Sequence, residues 1–456
     1  MEIYKKQSIS ETFAVYFDRR MLRILLLGII SGFPWVLIGS GLSLWLKEEG
    51  LSRSTIGWAG LIFAVYAFNY LWAPVIDRIH IPWLTKKVGH RRGWIITMQI
   101  IILISLICWS VINPTANLGL VITIGLIIAI ASATQDITVD ALRIEQIGKD
   151  EGQSMQAGAA MAVVGWWTGY KLGGAIALNV ADYFQKSGFE NYWQITFLIL
   201  TIVIIASNIG LMFVHEPQPL EKQDVQSKTD KLIEEKLGTS NIATKSIAWV
   251  GGTIGDPVIS FFKKNGLKIA LGILGFVFLF KIGEAFLGRM SIIFYKEMGF
   301  SKTDIALYSK SLGWITTVIF TLLGGLFAIR AGVVKALFIS GILMASTNIL
   351  FSILAWSGKS EWLFALAVIF DDMAAAFATV AFVAFISMLV DRNYTATQYA
   401  LLASIGTAGR TTLAASSGAM VDFLNGDWGI FFIITAIMVI PSLILLWFIR
   451  KQLNLK

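Results

Sequence analysis

LKEEGLSRSTIG, residues 46–57, and YKEMGFSKTDIA, residues 295–306, align without a gap although 249 positions separate them. Each follows a long apolar run. Apolar helices share few letter types and resemble one another by chance, but these stretches agree in polar letters: Lys-Glu, then Gly, then Ser and a basic residue. Weaker matches keep the same order. NVADYF (179–184) meets AMVDFL (419–424), pairing Asp182 with Asp422, and GHRRGW (89–94) has a thinner counterpart in RAGVVK (330–335). The repeat is about half the chain, so the sequence predicts two similar halves.

The halves belong in lipid. The chain has 456 residues, 56% hydrophobic and 14% charged, where a soluble protein carries roughly 25% charged residues. Apolar runs long enough to cross about 30 Å of hydrocarbon as helices lie near 22–46, 54–77, 93–112, 117–141, 154–181 and 193–214, then 267–295, 303–329, 334–357, 361–390, 396–423 and 427–449. That is an all-α membrane protein of twelve transmembrane helices in two six-helix halves. Its segments are a cytoplasmic N-terminal segment 1–21, an N half 22–214, a cytoplasmic linker 215–266, a C half 267–450 and a tail 451–456. Continuous runs exclude a β-barrel, whose strands are short and alternating.

Lys and Arg placement orients the chain. With the N-terminus in the cytoplasm, 26 of the 37 basic residues fall on that side and 6 outside, leaving Lys171, Lys281, Arg289, Lys310 and Arg410 within the membrane. Both termini are therefore expected in the cytoplasm, and the net charge of +8 reflects topology, not nucleic-acid binding. The first run is too long for a cleavable signal peptide. One cysteine, Cys108, excludes an intrachain disulfide and a cysteine metal cluster, and His80, His90 and His215 fall in loops or at helix ends. In the linker, EPQPLEKQDVQSKTDKLIEEKLG (216–238) reads as flexible. DPVISFFKKNG (256–266) reads as a surface helix with Phe261 and Phe262 inward and Lys263 and Lys264 toward phosphates.

Charge inside hydrocarbon costs about 2.5–3.5 kcal/mol on insertion scales, so each intramembrane polar cluster is a candidate site. In APVIDRIHIPWLTKKVGHRRGW (73–94), Asp77, Arg78, Arg91 and Arg92 sit at facing helix ends and suit a gate latch, beside plain positive-inside anchoring. In ASATQDITVDALRIE (131–145), Asp136 and Asp140 share a helix face with Gln135 adjacent, while Asp140 and Arg143, near the cytoplasmic end, are further gating candidates that also read as a solvated pair. In FLFKIGEAFLGRM (278–290), Lys281 and Glu284 can pair, as a structural tie or as a pair that opens when Glu284 takes a proton; Arg289 needs another partner. Lys171 and Arg410, on the fifth helix of each half, would converge on a central cavity and suit an anionic ligand. Trp166 and Tyr170 beside Lys171 offer flat faces for sugar rings, or simply pack. Asp371 and Asp372 diverge by about 100° and rival Glu284 and Asp136 as proton carriers, with Lys310 a possible counter-charge.

Two parallel six-helix repeats with both termini inside are similar to the major facilitator superfamily of transporters. Within it, SGFPWVLIGSGLSLWL, LWAPVIDR, RRGW, ASATQDITVDA, FKIGEAF and TATQYALLASIGTAGR, in order from 31 to 410, resemble the AmpG muropeptide permeases. The acetyl-CoA transporter branch is a poorer match. The resemblance implies proton-gradient-driven import of 1,6-anhydro-muropeptides, GlcNAc-anhydroMurNAc with or without its peptide, across the bacterial inner membrane for cell-wall recycling and, in some bacteria, β-lactamase induction. By matching motif it points to Gly32, Ala133, Gln135, Asp136, Asp140, Lys281, Glu284, Gln398 and Arg410. Two departures stand out: the loop after helix 2 is longer than the superfamily signature, and Glu284 stands where a shorter Asp is expected.

No cofactor or metal is expected, protons supplying the energy, and the protein is expected to act as a monomer. There is no Walker loop, dinucleotide fingerprint or HExxH motif. The alternatives are a carrier of another anionic or sugar-like solute, a non-transporting sensor on the same fold, and an intramembrane enzyme. Substrate competition separates the first from muropeptide import.

Overall fold

The computed structural model describes residues 13–51, 55, 59–148, 151–217, 255–300, 312–414 and 416–453. Lys5, Lys6, Lys149, Lys310, Lys456, the linker 218–254 and residues 301–306 of the second repeat lie outside the described residues, as do 52–54 and 56–58 of the first.

Among the described residues, twelve helical segments follow the twelve apolar runs. In the N half they are α1 (Arg19–Glu48), α2 (Gly60–Leu71, continued by Ala73–Arg78), α3 (His90–Trp109), α4 (Leu118–Glu145), α5 (Gly152–Lys186) and α6 (Tyr192–Leu211). A surface helix, Asp256–Asn265, precedes the C half. There the helices are α7 (Leu267–Leu279, continued by Ile282–Glu297), α8 (Leu312–Ala331), α9 (Val333–Ser357), α10 (Glu361–Leu389), α11 (Thr395–Ala414) and α12 (Trp428–Ile449). Eight of these, α1, α3, α4, α6, α7, α9, α10 and α12, are long and apolar enough to cross a membrane. The apolar segments of α2 and α8 are shorter, and α5 and α11 are diluted by small and polar residues.

Ends and irregularities have local causes. Asp18 caps α1 through the backbone N–H of Arg20 at 2.9 Å, a contact that holds the Asp18 carboxyl below the usual carboxylate range. Asp427 caps α12 through Ile430 N–H at 3.0 Å. Pro74 follows the bend that splits α2, because proline cannot donate into the helix ladder. Apolar side chains such as Ile100, Ile104 and Ile107 on α3 and Ile202, Ile205 and Ile209 on α6 face outward at helical spacing, as lipid contact requires.

The repeat seen in the letters is a structural repeat. α1 and α7 end in the same cap: Gly50 at φ 81° and Gly299 at φ 83°, with Leu51 N–H donating to Leu46 C=O and Phe300 N–H to Tyr295 C=O, both at 3.0 Å. The glutamate just before each cap ties the first helix to the sixth. Glu48 accepts Trp193 Nε1–H at 2.5 Å, and Glu297 accepts Trp428 Nε1–H at 2.7 Å. The halves meet along two matching seams, α2 and α4 against α11, and α8 and α10 against α5.

Within each half, glycines bring the first and fifth helices into backbone contact. A Cβ on Gly32 would lie 2.1 Å from Trp166 O, and one on Gly409 would lie 2.0 Å from Phe278 O. The close approach of α5 to α1 and α11 to α7 carries Lys171 and Arg410 inward. Gly32→Ala is therefore expected to destabilise the protein by about 1–3 kcal/mol, the usual cost of overpacking. Gly174→Ala, in open space on α5, should leave stability within about 0.5 kcal/mol. Thermal unfolding in detergent compares the two, and equal melting would refute the packing argument.

Candidate functional site

The polar side chains gather at two levels: one at the end of the bundle that holds Asp18 and Leu453, called the gate end here, and one near the middle of the bundle.

At the gate end, Asp77 finishes α2 as a buried carboxylate. It accepts Arg91 Nη2 at 2.6 Å, and across the seam the N–H groups of Ala396 and Thr397 at 3.2 and 2.8 Å and the Thr397 hydroxyl at 2.7 Å. One carboxylate thus neutralises an arginine of its own half and caps α11 of the other, where the free N–H groups and helix dipole favour negative charge. Arg91 is itself buried and pairs a second time, with Glu145 at 2.8 Å. Asp77 and Arg91 pair as their place at facing helix ends suggested. Arg92 does not join Asp77; it donates to Val214 C=O and lies 3.8 Å from Glu216, whose carboxylate also accepts the N–H groups of Arg91 and Arg92 at the start of α3. Arg78 lies within reach of the charge of Asp256 on the surface helix.

Asp140 and Arg143 pair at 3.0 Å, yet they are not a solvated pair. Arg143 is fully buried, donates to Ser387 on α10 at 2.9 Å and stacks over Tyr399 at 5.6 Å. Arg392, between α10 and α11, donates to the carbonyls of Ile144 and Ile147 at the far end of α4, and Tyr16 donates to Leu322 C=O on α8 at 2.9 Å. Ser404, midway along α11, donates to Asn69 on α2 at 3.2 Å, a further contact between the halves. Gln398, expected at the substrate site, instead joins the gate. Its amide donates to Pro257 C=O of the surface helix at 2.8 Å and accepts Asp391 N–H at 2.7 Å.

Near mid-membrane the C half presents charge. α7 breaks at Phe280–Lys281, so Lys281 caps the second segment and Glu284 sits in its first turn, where the dipole favours an acid. Lys281 Nζ is 3.0 Å from Glu284 and donates to Thr379 of α10 at 2.7 Å. The charges of Arg410 and Asp371 also act on Lys281. The adjacent aspartates diverge as expected: Asp371 accepts Thr347 on α9 at 3.2 Å, and Asp372 accepts Thr316 on α8 at 2.8 Å. Arg289 is exposed and makes no ion pair among the described residues.

The N half presents rings around one acid. Asp136 accepts the Ser31 hydroxyl at 2.5 Å, and Gln135, fully buried, donates to Ile30 C=O at 3.0 Å. Lys171 lies 5.7 and 5.9 Å from the Trp167 and Tyr170 rings, and its charge reaches Asp372 across the seam. Trp166 and Tyr170 stack at 5.6 Å. The structure therefore brings Lys171, Lys281, Glu284, Asp371, Asp372 and Arg410 to one level and puts Asp136 under the aromatic cluster. Sequence reading passed over Arg392, Glu145, Glu216 and Tyr16, which look like ordinary loop or helix-end residues until the halves are assembled.

Asp77→Ala would strand Arg91 partly unpaired and uncap α11, a change expected to cost about 3–5 kcal/mol. Asp77→Asn keeps the shape and removes the charge. In the Asn variant, electron spin labels at the exposed Lys87 and Lys335, on opposite halves, should gain a longer-distance population. Unchanged distances and melting in both variants would show that this carboxylate does not hold the gate.

Comparison with known proteins follows the geometry. The sequence pattern of the Major Facilitator Superfamily matches residues 24–314. A putative transporter AmpG 4 from Rickettsia felis is 33% identical over 440 residues, spanning 96% of this chain and 99% of that one. The anhydromuropeptide permease of Escherichia coli (strain K12) is 28% identical over 447 residues, spanning 98% and 82%. Among solved structures, the proton:xylose symporter XylE bound to 6-bromo-6-deoxy-D-glucose superposes with a TM-score of 0.63 at 14% identity, over 96% of each chain. The human organic anion transporter MFSD10 superposes at 0.57 and 16% identity, over 96% of this chain and all of that one. Duplicated halves, a gate built across the seam and charge held in the interior agree with these likenesses: the chain belongs to the AmpG group of the major facilitator superfamily and is a membrane transporter, not an enzyme.

Proposed function

We propose that the protein imports 1,6-anhydro-muropeptides, GlcNAc-anhydroMurNAc with or without its peptide, from periplasm to cytoplasm across the bacterial inner membrane, driven by the proton gradient. The gate end, with both termini, faces the cytoplasm, so the closed gate corresponds to an outward-facing carrier. The observation that carries the reading is the Lys281–Glu284 pair at 3.0 Å inside the membrane, with Arg410 and Asp371 acting on the same lysine. A peptide-bearing muropeptide supplies several carboxylates for Lys281, Arg410 and Lys171. Protonation of Glu284 releases Lys281 toward such a carboxylate, coupling proton entry to binding. The names of the relatives support the substrate class. No cofactor takes part, and one chain contains the whole path.

Uptake of labelled GlcNAc-anhydroMurNAc into proteoliposomes under an imposed pH gradient, with an ionophore control, tests the reading. Ionophore-sensitive accumulation is expected. No uptake of either the sugar or its peptide-bearing form by folded protein would overturn the muropeptide assignment.

Glu284→Gln should abolish gradient-driven accumulation while leaving exchange of labelled for unlabelled substrate. Full accumulation in that variant would move the proton to Asp136, Asp371 or Asp372. Lys171→Ala and Arg410→Ala should impair the peptide-bearing substrate by about tenfold or more, the effect of losing one charge-assisted contact. Unimpaired transport would refute the cationic cavity.

A further inference from the structure

The aromatic cluster of the N half has polar edges that the protein does not use. Trp35 on α1 lies 4.6 Å from Tyr66 and 5.0 Å from Phe63 on α2, and 5.5 Å from Trp166 on α5. All four rings are half-buried, not sealed in the core. Trp35 and Tyr66 neighbour Asp136 and Ser132, which lie one turn apart on α4 with Gln135 between them. Yet Trp35 Nε1, Tyr66 OH, Ser132 Oγ and Gln135 Oε1 are buried and form no hydrogen bond of good geometry among the described residues.

Buried polar atoms are nearly always paired, so four orphans at one spot call for an account. Half-exposed aromatic faces beside convergent donors and acceptors are the composition of a ligand pocket. The tips comprise donors at Trp35 and Tyr66, acceptors at Gln135 and Asp136, and a hydroxyl at Ser132 able to do either. An acetamido group needs one acceptor for its N–H and one donor for its C=O, and a pyranose ring adds hydroxyls and apolar C–H faces for the rings. The ligand's carboxylates have their cationic partners elsewhere, at Lys281 and Arg410 of the C half and at Lys171 on α5.

We propose that Trp35, Tyr66, Gln135 and Asp136 seat one N-acetylated pyranose ring, and that the carrier holds the ligand's carboxylates apart from this seat, at Lys281, Arg410 and Lys171. This rests on the transport reading above. Trp35 and Tyr66 are then specificity residues; neither was among the candidate site residues read from the sequence, although Trp35 lies within SGFPWVLIGSGLSLWL.

Binding to purified protein tests it, followed by tryptophan fluorescence and calorimetry, with GlcNAc-anhydroMurNAc, its peptide-bearing form and chitobiose. Trp35→Phe and Tyr66→Phe, which keep a ring and remove the polar tip, should each weaken both muropeptides by about tenfold. Arg410→Gln should weaken both muropeptides, each of which carries a carboxylate, and leave chitobiose, which carries none. Variants whose melting matches the wild type yet bind all three ligands as tightly would overturn the sugar seat. Loss of chitobiose binding in Arg410→Gln equal to that of the muropeptides would overturn the separate placing of the carboxylates. If the wild type binds chitobiose but neither muropeptide, and Trp35→Phe abolishes that binding, the sugar seat stands and the muropeptide reading falls. If it binds no N-acetylated sugar, the seat itself falls.

Discussion

Contact between the halves centres on one buried carboxylate serving two masters. Asp77 satisfies Arg91, which burial would otherwise make costly, and the unpaired N–H groups at the start of α11. The first contact lies within the N half and the second crosses the seam. Because the charge is desolvated, each contact is stronger than its surface equivalent, and losing either leaves the other undercompensated. Gate closure is thereby linked to charge balance inside the N half. Arg392, Arg143 and Tyr16 add hydrogen bonds around this core and make the seam broad.

The same desolvation rule explains where other charges reside. In lipid an ionised side chain must face protein or an aqueous cavity. Lys281 meets this by ending one helical segment and beginning another, which aims it at Glu284 and Thr379 together. The N half solves the problem differently, keeping one acid beneath rings and hydroxyls. The interior is therefore asymmetric in chemistry although the backbone is duplicated.

Duplication itself was legible because its marks are local. A Gly in the left-handed region after a Lys-Glu pair ends a helix in the same way at Gly50 and Gly299, and a helix end needs only its own few residues. The Lys281–Glu284 pair was legible for the same reason, three positions along one chain. Asp77 with Arg91 was legible from their place at facing helix ends. The role of Gln398 was misread because its motif matched, while its partners, Pro257 and Asp391, come from other segments. Arg143 looked solvated because its cover, Ser387 and Tyr399, lies in the other half.

By itself the sequence determined that the chain lives in a membrane, that it runs in two six-helix halves, and which residues are too polar for lipid. These follow from hydropathy, spacing and charge cost, which act residue by residue. Only the tertiary structure decided their partners: Gln398 with Pro257 and Asp391, Arg143 with Ser387, Lys281 with Thr379, and Trp35 and Tyr66 beside Asp136. That choice depends on packing such as that of α11 on α2 and of α5 on α8. Pairings across a seam are set by three-dimensional packing between segments hundreds of residues apart, and no local pattern records them.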